Sequence, residues 1–169
     1  MNFIKKIKSY LTMKKVLYFA YGSNLSTERM DGRLYHYKKM KNYKLLHHTL
    51  KFNAGRETAF ANVEDSLDNY VWGVLYEISV KDLKRLDVYE GHPIHYKRTS
   101  FFDSNYEKPI YYYKATENYK TLALPNITYL RWIEKGLLEH GLPFPFCWKN
   151  IERIAIEKFN KKNENLKIT

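Results

Sequence analysis

Val16-Leu17-Tyr18-Phe19-Ala20-Tyr21 is an unbroken apolar and aromatic run that stops at Gly22, the pattern of a central strand buried on both faces. Ser26 and Thr27 then offer N-caps for a brief helix through Met30, and Tyr43 to Phe52 reads as a strand of mixed polarity. Tyr70 to Ile78 is a clear strand, and Ser79-x-x-Asp82 after it is a capping box that opens a helix with Val80, Leu83 and Leu86 inward, ending near Tyr89. Gly91 and Pro93 break that helix, and Tyr96–Phe102 and Pro109–Thr116 predict a hairpin turning at Asp103-Ser104-Asn105. Asn126 caps a further helix with Leu130, Ile133 and Leu137 at helical spacing, and Gly141-Leu142-Pro143 separates it from a basic helix carrying Ile151, Ile154 and Phe159. At the other end, Phe3, Ile4, Ile7 and Leu11 share one face of a short basic amphipathic helix. Mostly strands with interposed and trailing helices predict a mixed α+β domain built on a sheet or small barrel.

Composition narrows the class. A chain of 169 residues with 44% hydrophobic and 28% charged residues fits one folded domain. The longest apolar run is six residues, far short of the roughly 20 of a membrane-spanning helix. Cys147 is the single cysteine, and no secretory h-region is present, so a cytoplasmic setting without disulfides is expected. The net charge of +11 invites a nucleic-acid reading, but its distribution argues against one. Residues 1–15 hold five lysines and no acid, residues 32–51 six cations and no acid, while residues 52–148 count eleven cations against thirteen acids. Lysine outnumbers arginine 22 to 7, the balance of a solvated surface rather than of bidentate base recognition.

Several standard chemistries are missing: no Gly-x-Gly-x-x-Gly, no phosphate loop, no Cys-x-x-Cys. Ser23 lacks the second glycine of a nucleophile elbow, Glu90 with His92 and His95 is a weak metal pattern, and Cys147 with His140 is weaker still as a nucleophile pair. Two segments stand out. Tyr18 to Leu25 is a buried strand that breaks on glycine into small polar residues, a corner whose backbone N–H groups can receive a carboxylate or an oxyanion. Leu86-Asp87-Val88-Tyr89-Glu90-Gly91 leads through a glycine-proline loop into the aromatic strand of Tyr96 and Arg98, placing an acid on a sharp corner.

Together these segments resemble the gamma-glutamylcyclotransferases. Tyr18 to Leu25 with Arg29-Met30 is similar to that family's strand-and-loop signature, Leu86-Asp87-x-x-Glu90-Gly91 to its catalytic segment, and Gly141-Leu142-Pro143 to its C-terminal turn. The resemblance spans residues 14–148, leaving residues 1–13 as a basic extension and 149–169 as a basic helix or tail. It implies a small mixed β-barrel with surrounding helices, no cofactor and no metal, and a small-molecule gamma-glutamyl substrate; it is compatible with a homodimer. It implies that Glu90 is the general acid/base and that Tyr18, Phe19, Ala20, Tyr21, Gly22, Ser23, Asn24 and Tyr96 bind substrate. Phe146 stands where relatives carry a phenol, so a hydroxyl contact to substrate is lost, and Glu90-x-x-Pro93-x-x-Tyr96-x-Arg98 is also similar to sister enzymes that act on gamma-glutamyl amines.

The reaction so implied is ring closure: the α-amine of a gamma-glutamyl unit attacks its own γ-carbonyl, releasing an amine and 5-oxoproline. The requirement is then Glu90 facing the corner at residues 21–24 across a cavity sized for a curled glutamyl group. The alternatives are a catalytically silent gamma-glutamyl-binding module and a nucleic-acid or membrane-surface binder using the lysine-rich periphery.

Overall fold

The computed structural model describes residues 14–166, so the amphipathic helix expected over residues 1–12 lies outside it. In chain order the elements are β1 (Lys15–Ala20), α1 (Thr27–Arg33), β2 (Tyr37–Gly55), β3 (Ala59–Ser79), α2 (Val80–Tyr89), β4 (Tyr96–Phe101), β5 (Ile110–Ala115), α3 (Ile127–His140) and α4 (Trp148–Leu166). The five strands form one mixed sheet of order β2-β3-β1-β5-β4. β1 lies in its centre, antiparallel to β3 and parallel to β5, as its wholly apolar sequence requires.

The two strands expected over Tyr43–Phe52 and Tyr70–Ile78 are parts of a much longer hairpin, the middle of β2 and the last part of β3, which the register shifts at Lys39/Lys41, Leu46/His48 and Phe52/Ala54 bend. His47, at one of these shifts, takes a left-handed conformation with φ of 58°. The bend carries the first residues of β3 across to the end of β5, where the Ala115 amide donates to Asn62 Oδ1 at 2.8 Å and Lys114 pairs with Asp65. The sheet is therefore open and only loosely barrel-like. β2 and β4 share no ladder among the described residues, and side chains approach instead, with the Tyr43 hydroxyl donating to Asp103 and its ring 6.2 Å from that of Phe101.

Residues alternate between faces along β1, so Leu17 and Phe19 point one way and Val16, Tyr18 and Ala20 the other. Phe19 sits inside the curl, its ring edge-on to Tyr43 at 5.8 Å. The opposite face is covered by helices. There the Tyr76 hydroxyl meets His140 of α3 at 3.1 Å, and the Val80 amide at the start of α2 donates to the Lys14 carbonyl at 3.1 Å. Of the three helix caps read from the sequence, two are made by side chains: Ser79 Oγ accepts from the Asp82 amide at 3.0 Å, and Asn126 Oδ1 from the Tyr129 amide at 2.7 Å, whereas Ser26 precedes α1 without a side-chain cap bond. Gly141 ends α3 in the left-handed conformation, φ 62°. The C-terminal helix is part of the body at its start, with Trp148 and Ala155 buried.

Candidate active site

Three stretches distant in sequence converge on one small cavity of about 40 Å³. β1 ends at Ala20, and Tyr21 to Asn24 turn away as a tight corner whose Leu25 and Ser26 amides close back on Gly22 and Ser23. Gly22, Ser23 and Asn24 line the cavity, and among the described residues their amides donate to no acceptor. A Cβ at Gly22 would sit tightly against Ala61 Cβ at 3.3 Å and in contact with the Tyr129 hydroxyl at 3.4 Å, so the corner packs closely there.

Glu90 follows the last turn of α2, and Gly91 reverses the chain behind it with φ of 62°. Its side chain keeps only 18% of its surface accessible and faces the corner directly. Arg33, at the end of α1, donates to Glu90 Oε1 at 3.1 Å and to Asn24 Oδ1 at 2.7 Å. Asn24 Nδ2 in turn donates to the same Glu90 oxygen at 3.2 Å and to the Tyr18 hydroxyl at 2.7 Å. Both bonds fall on Oε1, so among the described residues Oε2 accepts none. Burial raises the Glu90 pKa above the ordinary carboxylate value, opposed by the Arg33 charge, the Asn24 hydrogen bond and the Arg29 charge. A carboxyl in that balance is ionised by its partners yet reluctant to stay so, the condition of an acid/base group.

Tyrosines build the remaining walls. The first residues of β3 extend beyond β1 and lack a neighbouring strand on that side, and two phenols take its place. Tyr129 accepts from the Ala61 amide at 3.0 Å, and Tyr96 donates to the Ala61 carbonyl at 2.8 Å. The Tyr21 hydroxyl donates to the Tyr113 carbonyl at 2.6 Å, and the Tyr113 hydroxyl to Asp87 Oδ1 at 2.8 Å, with Arg98 paired to the other Asp87 oxygen. Burial raises every one of these phenols, Tyr129 to about 12, so they act as neutral donors or acceptors.

Of the residues singled out in the sequence, Tyr18, Tyr21, Gly22, Ser23, Asn24, Tyr96 and Glu90 line this cavity. Phe19 and Ala20 do not: Phe19 packs on the far side of the sheet, because alternate strand residues cannot share a face. Phe146 is fully exposed, 107%, on the rim of a separate cleft of about 610 Å³ between the β2–β3 hairpin, α3 and the loop before α4. Cys147 lies in that cleft too, while His140 is engaged by Tyr76 and the Leu25 carbonyl. Ser23 Oγ accepts a long bond from Arg29 at 3.5 Å. No group of three metal-ligating side chains occurs among the described residues. The cavity itself is smaller than expected, room for about three waters by volume. Arg33, Ala61 and Tyr129 are the participants that the sequence did not announce. Only Arg33 left a signal, its spacing of four from Arg29 on one helical face.

The five-stranded mixed sheet with its surrounding helices is the fold of solved gamma-glutamyl cyclotransferases. A solved structure named "Gamma-glutamyl cyclotransferase" covers 82% of this chain and 87% of its own at 26% identity and a TM-score of 0.68. The crystal structure of an uncharacterised protein from Homo sapiens matches 82% of this chain and 86% of its own, again at 26% identity, with a TM-score of 0.66. The Bos taurus protein named gamma-glutamylcyclotransferase is 29% identical over 141 residues, 77% of this chain and 74% of that one. The model of the family described as "Gamma-glutamyl cyclotransferase, AIG2-like" matches residues 18–134, and the chain belongs to that family.

Proposed function

We propose that this protein is a gamma-glutamylcyclotransferase that releases 5-oxoproline from a gamma-glutamyl amino acid or amine, with Glu90 as its acid/base. One observation carries the reading: a largely buried carboxylate, held through Oε1 by Arg33 and Asn24, shares one small cavity with the Gly22-Ser23-Asn24 corner. The chemistry needs little more. The nucleophile is part of the substrate, and holding it against its own γ-carbonyl can remove roughly 7–11 kcal/mol of barrier. As the amine nitrogen bonds to the γ-carbon, Oε2 takes its proton, and the carbonyl oxygen becomes an oxyanion that an amide at Gly22, Ser23 or Asn24 stabilises. The carbonyl then reforms as the bond to the leaving nitrogen breaks, and the Glu90 carboxylic acid returns its proton to that nitrogen. The departing amine and the five-membered lactam leave with the carboxylate regenerated.

The test is turnover of purified protein on gamma-glutamyl dipeptides and amines, with 5-oxoproline quantified. Glu90→Gln keeps the volume and the bonds from Arg33 but cannot carry a proton, so kcat falls about 10²–10⁴-fold. Equal rates for the variant and the wild type on every substrate overturn the reading.

A further inference from the structure

One arginine beside the cavity has no anion. α1 carries two guanidinium groups on one face, Arg29 and Arg33, a like-charged pair four residues apart. Arg33 is matched by Glu90, whereas among the described residues Arg29 forms no ion pair. The acids around it are committed elsewhere: Glu28 to Lys135, Asp31 to the Tyr37 hydroxyl, and Glu139 to Thr27. Arg29 Nε is buried and without a hydrogen-bond partner, and among the described residues the group's one hydrogen bond is the 3.5 Å contact to Ser23 Oγ, a residue of the cavity lining. Its guanidinium lies 5.3 Å from the Trp132 ring centroid, a contact that steadies the group while leaving most of its N–H donors unused. Two cations and one carboxylate leave the site one negative charge short, and a half-buried guanidinium fork with idle donors is shaped for a carboxylate.

We infer that Arg29 is a substrate-binding residue that receives a carboxylate of the gamma-glutamyl substrate at the mouth of the cavity. The inference rests on the cavity being the gamma-glutamyl site. The carboxylate has two sources, the α-carboxylate of the glutamyl unit or the carboxylate of a leaving amino acid, and both chemistries are the same to the arginine.

The test uses ligands that cannot cyclise. Glutaryl-alanine keeps both carboxylates but lacks the nucleophilic amine, and glutaryl ethylamide lacks the leaving-group carboxylate as well. Their Kd values are measured by calorimetry on wild type, Arg29→Gln and Arg29→Lys, beside thermal melts without ligand. Glutaryl-alanine is expected to bind Arg29→Gln about 10- to 100-fold more weakly than wild type, the scale of one charge-assisted contact, with Arg29→Lys in between. An equal loss on glutaryl ethylamide assigns the contact to the glutamyl α-carboxylate, and a loss confined to glutaryl-alanine assigns it to the leaving group. The melting temperature of the unliganded Gln variant stays level or rises, because an unmatched buried cation is removed. Wild-type affinity in both variants, or a lower melting temperature with unchanged affinity, overturns the inference while the cyclotransferase reading stands. Failure of wild type to bind either ligand overturns both.

Discussion

At the residue scale the molecule turns on how Glu90 is held. Burial raises its pKa and Arg33 works against that rise, so removing the guanidinium leaves desolvation unopposed. Arg33→Met is therefore expected to move the acidic limb of the kcat/KM profile to higher pH, and an unmoved limb would contradict the pairing. The same shift has a stability consequence. A folded-state carboxyl that holds its proton above the ordinary 4.5 favours the fold below that value and loses this contribution as pH rises through its raised value. Melting temperatures of wild type and Glu90→Gln should thus diverge in the variant's favour as pH climbs from about 4.5 toward neutrality. What the sequence disclosed at this scale was the part written in contiguous motifs, Tyr18 to Asn24 and Glu90. Ala61 and Tyr129 were invisible because neither has a distinctive neighbour, and they matter only where a hydroxyl meets a strand edge across 68 residues of chain.

At the element scale, the helices were legible because their caps are local signals. Ser79 and Asn126 mark helix starts by bonds to residues three further on. The length of the β2–β3 hairpin was not. Residues 64–69 include Glu64, Asp65, Asp68 and Asn69 and are mostly exposed; Glu64 and Asp65 pair with Thr49 and His48 of β2, and the register then jumps to Tyr70 opposite Leu46. β2 is a sheet edge, and its exposed Lys38, Lys39, Lys41, Lys44 and Lys51 account for much of the basic middle of the chain. Lysines on an edge discourage pairing with another chain, so Lys38, Lys39, Lys41 and Lys44 changed together to threonine should raise the light-scattering mass at constant turnover. α3 supplies a sharper case. A Cβ on Gly136 would lie 2.3 Å from Leu25 Cβ and 2.6 Å from the Ser26 nitrogen, immediately after the polar corner. Gly136→Ala is expected to cost about 1–3 kcal/mol in urea unfolding and to lower kcat through the displaced corner, whereas an unchanged midpoint would show that α3 can shift freely.

At the scale of the whole molecule, the matched family segment, residues 18–134, contains every group assigned to the site. Removal of residues 1–13 should leave kcat/KM within about twofold of wild type, since the first described tie to the fold is the Lys14 carbonyl under α2. The clamp on Ala61 reaches further. Its amide and carbonyl are held by phenols from two elements, Tyr129 of α3 and Tyr96 of β4. Withdrawing Tyr129 leaves the Ala61 amide without its acceptor, and withdrawing Tyr96 leaves the Ala61 carbonyl without its donor. Deuterium uptake at the Ala61 amide therefore counts openings of the chamber, and its slowing by saturating ligand would time how often the door swings.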